Sequence, residues 1–291
     1  MKCEGDVMRF IEAKSMIQSN HNFNLIKGCT HGCIYCDSRS ECYQIKAFEN
    51  VAIKKDALLI MENELQRKRQ KALLSTGGMS DPYVHLESRL LLMQNTLKLI
   101  YKYGFGISVL TKSTMILRDL ALYEKINERY KSVVQLTITT TDDKLAKIIE
   151  PHVSLPSERL KALKIFAASG IITGIWMTPI LPYINDTEVN IKNIVKKAAE
   201  HDVKFIVSFG MGTTMRKGSR EYFYKELDKS FPGLKQKYMN TYGDRYICDS
   251  PKATPLQKVF EASCETYGLL YKQADIDDLI QYHNHKQQSL F

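Results

Sequence analysis

Tryptophan occurs once in this chain of 291 residues, proline eight times and glycine 15 times. Such sparse and aperiodic use excludes a collagen-like repeat and a low-complexity linker protein. Long apolar runs are missing as well. The longest uncharged stretch, residues 165–185, is broken by Gly170, Gly174, Pro179 and Pro182 and holds Ser169, Thr173 and Thr178. It reads as a helix end, a glycine turn, a buried strand and a proline loop, and not as a membrane span. Residues 1–10 carry Lys2, Glu4, Asp6 and Arg9 with no apolar core, so no signal peptide is expected there. A cytoplasmic protein is the expectation, with no membrane partner. Its seven cysteines then read as metal ligands or free thiols, not as a disulfide framework.

What is present is an ordinary globular composition, 44% apolar and 25% charged, long enough to bury a sizeable core. Lys plus Arg number 41 against 32 Asp plus Glu, a net charge of +9. That balance suits an anionic substrate or a nucleic acid but is common in proteins that bind neither. Along the chain, short β-rich runs alternate with amphipathic helices. Strands are expected at residues 22–27, 72–76, 106–110, 133–140, 171–177 and 203–209, and helices at 54–71, 88–103, 119–129 and 155–169. A further helix, capped by Asp186, is expected to run to His201. The rhythm implies parallel strands with right-handed crossovers. Six βα units fall short of an eight-fold barrel. The fold class is therefore α/β, a partial (β/α)6 barrel with a helical C-terminal extension. The expected division is an N-terminal extension (1–21), a core barrel (22–210) and a helical extension packed on the core (211–291), with a polar, frayed tail at 283–291.

The informative stretch is KGCTHGCIYCDSRSECY, residues 27–43. Cys29, Cys33 and Cys36 stand in a C-x-x-x-C-x-x-C spacing just after the first expected strand. Catalytic groups of parallel barrels gather at the carboxyl ends of their strands, where this loop lies. Three thiolates from one loop hold three irons of a four-iron cluster and leave the fourth open to a small molecule. Gly28 and Gly32 let the backbone wrap closely around such a body. Buried, unreactive thiols would be the bland account. A second alternative recruits Cys42 as a fourth ligand, giving a non-catalytic iron–sulfur or zinc-binding protein.

This spacing, with Tyr35 before the last cysteine, resembles the radical S-adenosylmethionine (SAM) superfamily over about residues 20–275. The resemblance implies a [4Fe–4S] cluster on Cys29, Cys33 and Cys36, whose open iron binds SAM. Reductive cleavage of SAM then yields a 5′-deoxyadenosyl radical that abstracts hydrogen from the substrate. It also implies SAM contacts at Tyr35, at the glycine turn Gly77–Gly78, and at Ser80 and Asp81 close behind it. Lys112 matches a partner of the SAM carboxylate. Thr137 and Thr139 would meet the ribose or adenine, Arg159, behind Glu150–Pro151, would pair with a carboxylate, and residues 179–186 (PILPYIND) form the proline-rich turn near the adenine. An electron donor of the flavodoxin or ferredoxin type is expected from the same likeness.

GCTHGCIYC together with SDPY and TKS is similar to the spore photoproduct lyase-like branch, often described as DNA repair photolyases. That implies an enzyme of lyase or oxidoreductase type and a possible nucleic-acid substrate. One departure stands out. The branch carries a cysteine hydrogen donor just before the Ser-Asp pair, and here Gly77, Gly78 and Met79 precede Ser80. A thiol relay would have to come from Cys42, Cys248 or Cys264. Basic and aromatic residues mingle at Arg216, Lys217, Arg220, Tyr222, Phe223, Tyr224 and Lys225, as a nucleic-acid surface or as one helix with a core face.

Overall fold

The computed structural model describes residues 8–281. The expected polar tail at 283–291 and Cys3 lie outside the described residues. Three short strands come first: β1 (Arg9–Ile11), β2 (Ile26–Lys27) and β3 (Ala52–Lys54), with β1 parallel and β2 antiparallel to β3. The main sheet follows in chain order, β4 (Leu73–Thr76), β5 (Gly106–Thr111), β6 (Ser132–Thr137), β7 (Ile172–Trp176) and β8 (Phe205–Val207), every neighbour parallel. All six residues of β6 are buried, which a parallel strand covered on both faces requires. The sheet is widened at each edge by a single parallel bridge, Asn22 to Ser75 beside β4 and Leu270 to Phe205 beside β8. The first expected strand, 22–27, is thus divided. Its start touches the main sheet and its end turns away to pair with β3.

Helices cover the sheet: α1 (Ala57–Arg67), α2 (Glu87–Leu90), α3 (Leu92–Tyr103), α4 (Leu120–Arg129), α5 (Asp143–Ile149), α6 (Pro156–Ala168) and α7 (Glu188–Glu200). In α3 the stripe Met93, Leu97 and Ile100 is buried, and Gly104 ends the helix in the left-handed conformation. The helix expected over 88–103 is broken at Leu91, whose φ is 52°. The break lets the Glu87 carboxylate accept the Met93 N–H at 3.0 Å while Arg118 holds the same oxygen at 2.8 Å. Local sequence shows no sign of this, because Arg118 arrives from beyond β5. Two further expectations shift. β6 stops at Thr137 because the Asn185 and Asn190 side-chain amides capture the Thr139 carbonyl at 2.8 and 2.9 Å. Thr187, not Asp186, caps α7, and Asp186 instead accepts from the Ser250 hydroxyl at 2.5 Å.

The C-terminal segment is not purely helical. β9 (Gly212–Thr214) pairs antiparallel with β10 (Ile247–Asp249), enclosing α8 (Ser219–Ser230) and α9 (Leu234–Tyr242). α10 (Ala253–Tyr267) places Leu256, Phe260 and Cys264 in one apolar cluster with Ile191, Ile194 and Val195 of α7. α11 (Gln273–Ile280) sets Ile276 against Phe205 and Val207 of β8. No helix among the described residues is long and apolar enough to cross a membrane. Within the sheet, a Cβ at Gly174 of β7 would run into the Phe205 ring of β8. Gly174→Ala is therefore expected to lower the unfolding free energy by about 1–3 kcal/mol through overpacking. Urea denaturation measures this, and an unchanged midpoint would refute the close approach.

Candidate active site

The cysteine loop leaves β2 and is pinned at several points. The Cys29 N–H donates to the Phe48 carbonyl at 3.0 Å, the Ile34 N–H to the Ile149 carbonyl at 3.0 Å, and the His152 N–H to the His31 carbonyl at 3.2 Å. Gly32, at φ 70°, lies so close to the turn after α5 that a Cβ would stand 2.8 Å from the His152 ring. Cys29 and Cys33 are buried and Cys36 is partly so. Burial pushes the Cys33 thiol well above its ordinary pKa, with the Lys112 charge pulling the other way. Burial raises Cys36 too. Cys42 is exposed, with its sulfur 3.6 Å from an Arg216 nitrogen. Among the described residues, no three His, Cys, Asp or Glu side chains gather tightly enough for a single ion.

Beside the loop lies a cavity of about 560 Å³, walled in part by Cys36, Tyr35, Gly77, Gly78, Lys112 and Thr137. Gly77 follows β4 at φ 105°, and a Cβ there would run into the Leu110 carbonyl, so only glycine fits the turn. Gly78 has open space where a side chain would stand. The Lys112 ammonium has no hydrogen-bond or ion-pair partner among the described residues. It sits 5.8 Å from the Tyr35 ring centre. Burial alone would lower its pKa, but the Cys33, Glu150 and Asp81 charges outweigh that and raise it. The result is a stable cation facing the cavity.

The other expected SAM contacts stand elsewhere. Arg159 is fully buried and each of its guanidinium nitrogens is engaged: it pairs with Glu150 and donates to the Thr137 and Ser154 carbonyls at 2.5 and 2.8 Å. Glu150 also accepts from the Tyr35 hydroxyl, so Tyr35 offers the cavity its ring. The buried Asp81 accepts from Thr111 Oγ1 at 2.6 Å and from the Lys112 and Tyr83 N–H groups at 2.8 Å, and it faces His31 Nδ1 at 3.3 Å. Ser80 and Thr139 are buried and do not line the cavity; Thr137 does, and the Thr139 hydroxyl has no partner. Sequence reasoning missed His31. Burial would lower its pKa, but Asp81, with a smaller contribution from Cys29, raises it to about 10. Its place between two cysteines was the available signal.

The radical SAM superfamily model matches residues 23–190, more than half of the chain. This chain belongs to the radical SAM superfamily. An uncharacterized protein of Mycobacterium tuberculosis is 24% identical over 230 residues, 76% of this chain and 67% of that one. A spore photoproduct lyase complexed with dinucleoside spore photoproduct shares the fold at a TM-score of 0.67 and 15% identity, over 90% of this chain and 82% of that one. A two-site mutant of that lyase with bound AdoMet and the same dinucleoside superposes at 0.62 with 16% identity, over 85% and 74%. The superfamily implies a [4Fe–4S] cluster and SAM. The donor set here fits both: three thiols on one pinned loop, with an unpartnered cation across the adjoining cavity.

Two outcomes check the assignment of Arg159 and Asp81 to the scaffold of this radical SAM site. Arg159→Met strands the Glu150 carboxylate and should lower stability by about 3–5 kcal/mol without SAM present. A thermal midpoint equal to that of the native protein would contradict it. Burial opposes ionisation of Asp81, but the His31 charge and hydrogen bonds bring its pKa from 3.8 down to about 2. Its contribution is fully present above pH 3.8 and fades as pH falls toward 2. In Asp81→Asn the acid limb of the stability profile should be flatter over that window.

Proposed function

We propose that this enzyme cleaves SAM reductively at a [4Fe–4S] cluster held by Cys29, Cys33 and Cys36 and abstracts hydrogen from an organic substrate. The observation that carries the reading is the Lys112 ammonium, without a hydrogen-bond or ion-pair partner among the described residues, lining one cavity together with the cysteine loop. When bound, the cluster supplies an electron that breaks a carbon–sulfur bond of SAM, giving methionine and a 5′-deoxyadenosyl radical. The protein's own part is to bind and orient. Lys112 holds the SAM carboxylate by a charge-assisted hydrogen bond. The Gly77–Gly78 backbone receives the methionyl amino group where no side chain intrudes, and the Tyr35 ring and Thr137 wall the remainder. A flavodoxin- or ferredoxin-type donor supplies electrons.

A nucleic-acid substrate is the favoured class, supported by the net charge of +9 and by the lyase neighbours with their bound dinucleoside. The thiol relay of the lyase-like branch has few carriers here. Cys248 and Cys264 are buried, their pKa values pushed by burial to about 11 and about 12. The mixed basic and aromatic segment offers little free charge. Phe223 is buried, Arg216 contacts Tyr43, Tyr246 and Asp37, and Arg220 pairs with Asp244. The closed four-cysteine reading is disfavoured because Cys42 is exposed against Arg216.

Protein purified anaerobically, reconstituted with iron and sulfide and reduced with dithionite, should convert SAM to 5′-deoxyadenosine, read by chromatography. Cys33→Ala should form none. Lys112→Met should keep the cluster absorbance and raise KM for SAM at least about tenfold, the usual worth of a hydrogen bond to a charged group. Absent product from a fully loaded native protein given SAM and oligonucleotide would sink the proposal. An unchanged KM would remove Lys112 from the site.

A further inference from the structure

We infer that a second cavity, lined by residues of β4 to β8, is a specificity pocket for an uncharged planar ring with adjacent N–H and C=O groups, as a nucleobase presents. The inference deepens the proposed function and rests on it in one respect, that the group held here belongs to the substrate. The cavity measures about 360 Å³, within the size range of small-molecule sites. Its wall shares Gly77, Gly78, Leu110, Trp176 and Phe209 with the cavity beside the cysteine loop, so the two adjoin. Their chemistry differs sharply. The first is lined by Lys112, Asp37 and Asp249 among others, whereas among the described residues no charged side chain lines the second. A carboxylate, phosphate or ammonium entering it would shed water and meet no countercharge.

The wall is nonetheless polar, in an ordered way. The Trp176 indole N–H donates to Gln135 Oε1 at 2.6 Å, and Gln135 Nε2 donates to Ser108 Oγ at 2.9 Å. This ladder crosses β7, β6 and β5 in turn. A glutamine amide has two N–H donors and a serine hydroxyl one, so the ladder leaves one Gln135 N–H and the Ser108 proton to offer. On the same wall Asn24 Oδ1 is buried without a partner. Two donors and an acceptor suit a carbonyl beside an N–H. At the mouth, Trp176 meets Phe209 edge to face at 5.3 Å, and Phe209 is 69% exposed, unusual for a large apolar side chain. An aromatic wall favours a flat ring over an extended peptide amide. Ile276 and Ile280 of α11 close the far side.

Trp176 is the chain's one tryptophan, so its emission reports on the pocket independently of SAM cleavage. The probe is thymidine, added to full-length, cluster-loaded protein without SAM. A saturable emission change with Kd at or below about 1 mM is expected. Orotate, a similar ring bearing a carboxylate, should bind at least about tenfold more weakly. Gln135→Leu should weaken thymidine about tenfold, and Ser108→Ala, the milder change if the first variant does not fold, severalfold. No response to thymidine, equal affinity for orotate, or native affinity in the folded variants would each overturn the pocket. N-acetylglycinamide binding as tightly as thymidine would overturn the nucleobase assignment in favour of peptide amides. Thymidine binding by a protein that never yields deoxyadenosine would support the pocket and sink the radical reading. The reverse result would sink the pocket alone.

Discussion

The Glu150 carboxylate, buried just beyond the end of α5, ties together the parts on which the site depends. One oxygen accepts from the Tyr35 hydroxyl on the cysteine loop, and the other pairs with Arg159 on α6. Arg159 in turn holds the Thr137 carbonyl at the end of β6 and the Ser154 carbonyl before its own helix. Burial would raise the Glu150 pKa, but the Arg159 and Lys112 charges hold it below the usual carboxylate range. A charge without solvent is tolerated only when its partners satisfy it, so removing any one of them propagates to the others. The network adds little net stability by its nature. Its consequence is geometric: the loop, the strand end and two helices keep one relative position.

Asp81 does the corresponding work on the other side. It joins the turn after β4 to the Thr111 hydroxyl and Lys112 N–H at the end of β5, and it carries His31 from the cysteine loop. The two buried carboxylates thus bracket the three thiols. Between them Lys112 is held by its backbone while its ammonium is left unpaired. A cation left unpaired beside buried thiols and carboxylates is readily available to an anionic ligand group. Among the described residues the adjoining cavity is lined by no charged side chain, and the contrast separates a charged end of the enclosed space from a neutral one.

Both the break between α2 and α3 and the early end of β6 have the same physical origin. In each, a polar side chain distant in sequence satisfies a backbone group that regular structure would have used: Glu87 with Arg118 at the first, Asn185 and Asn190 at the second. Periodicity is local and carries no information about such partners. The same limit hid the partners of Asp81 and Arg159, whose residue types suit a ligand contact as well as a buried scaffold. It also hid the polar ladder, since Ser108, Gln135 and Trp176 sit on three strands separated by tens of residues in the chain.

By itself the sequence determined the alternation of strands and helices, the superfamily and the loop that carries three thiols. These depend on short-range spacing, and spacing is written in the chain. Tertiary structure alone decided which polar residues face a cavity and which are consumed by one another. Tyr35, Gly77, Gly78 and Lys112 face it, whereas Ser80, Asp81, Thr139 and Arg159 do not. That outcome is set by pairing across strands and helices far apart in sequence. Burial makes an unpaired polar group costly, so most find partners, and only the assembled fold determines which groups are left over.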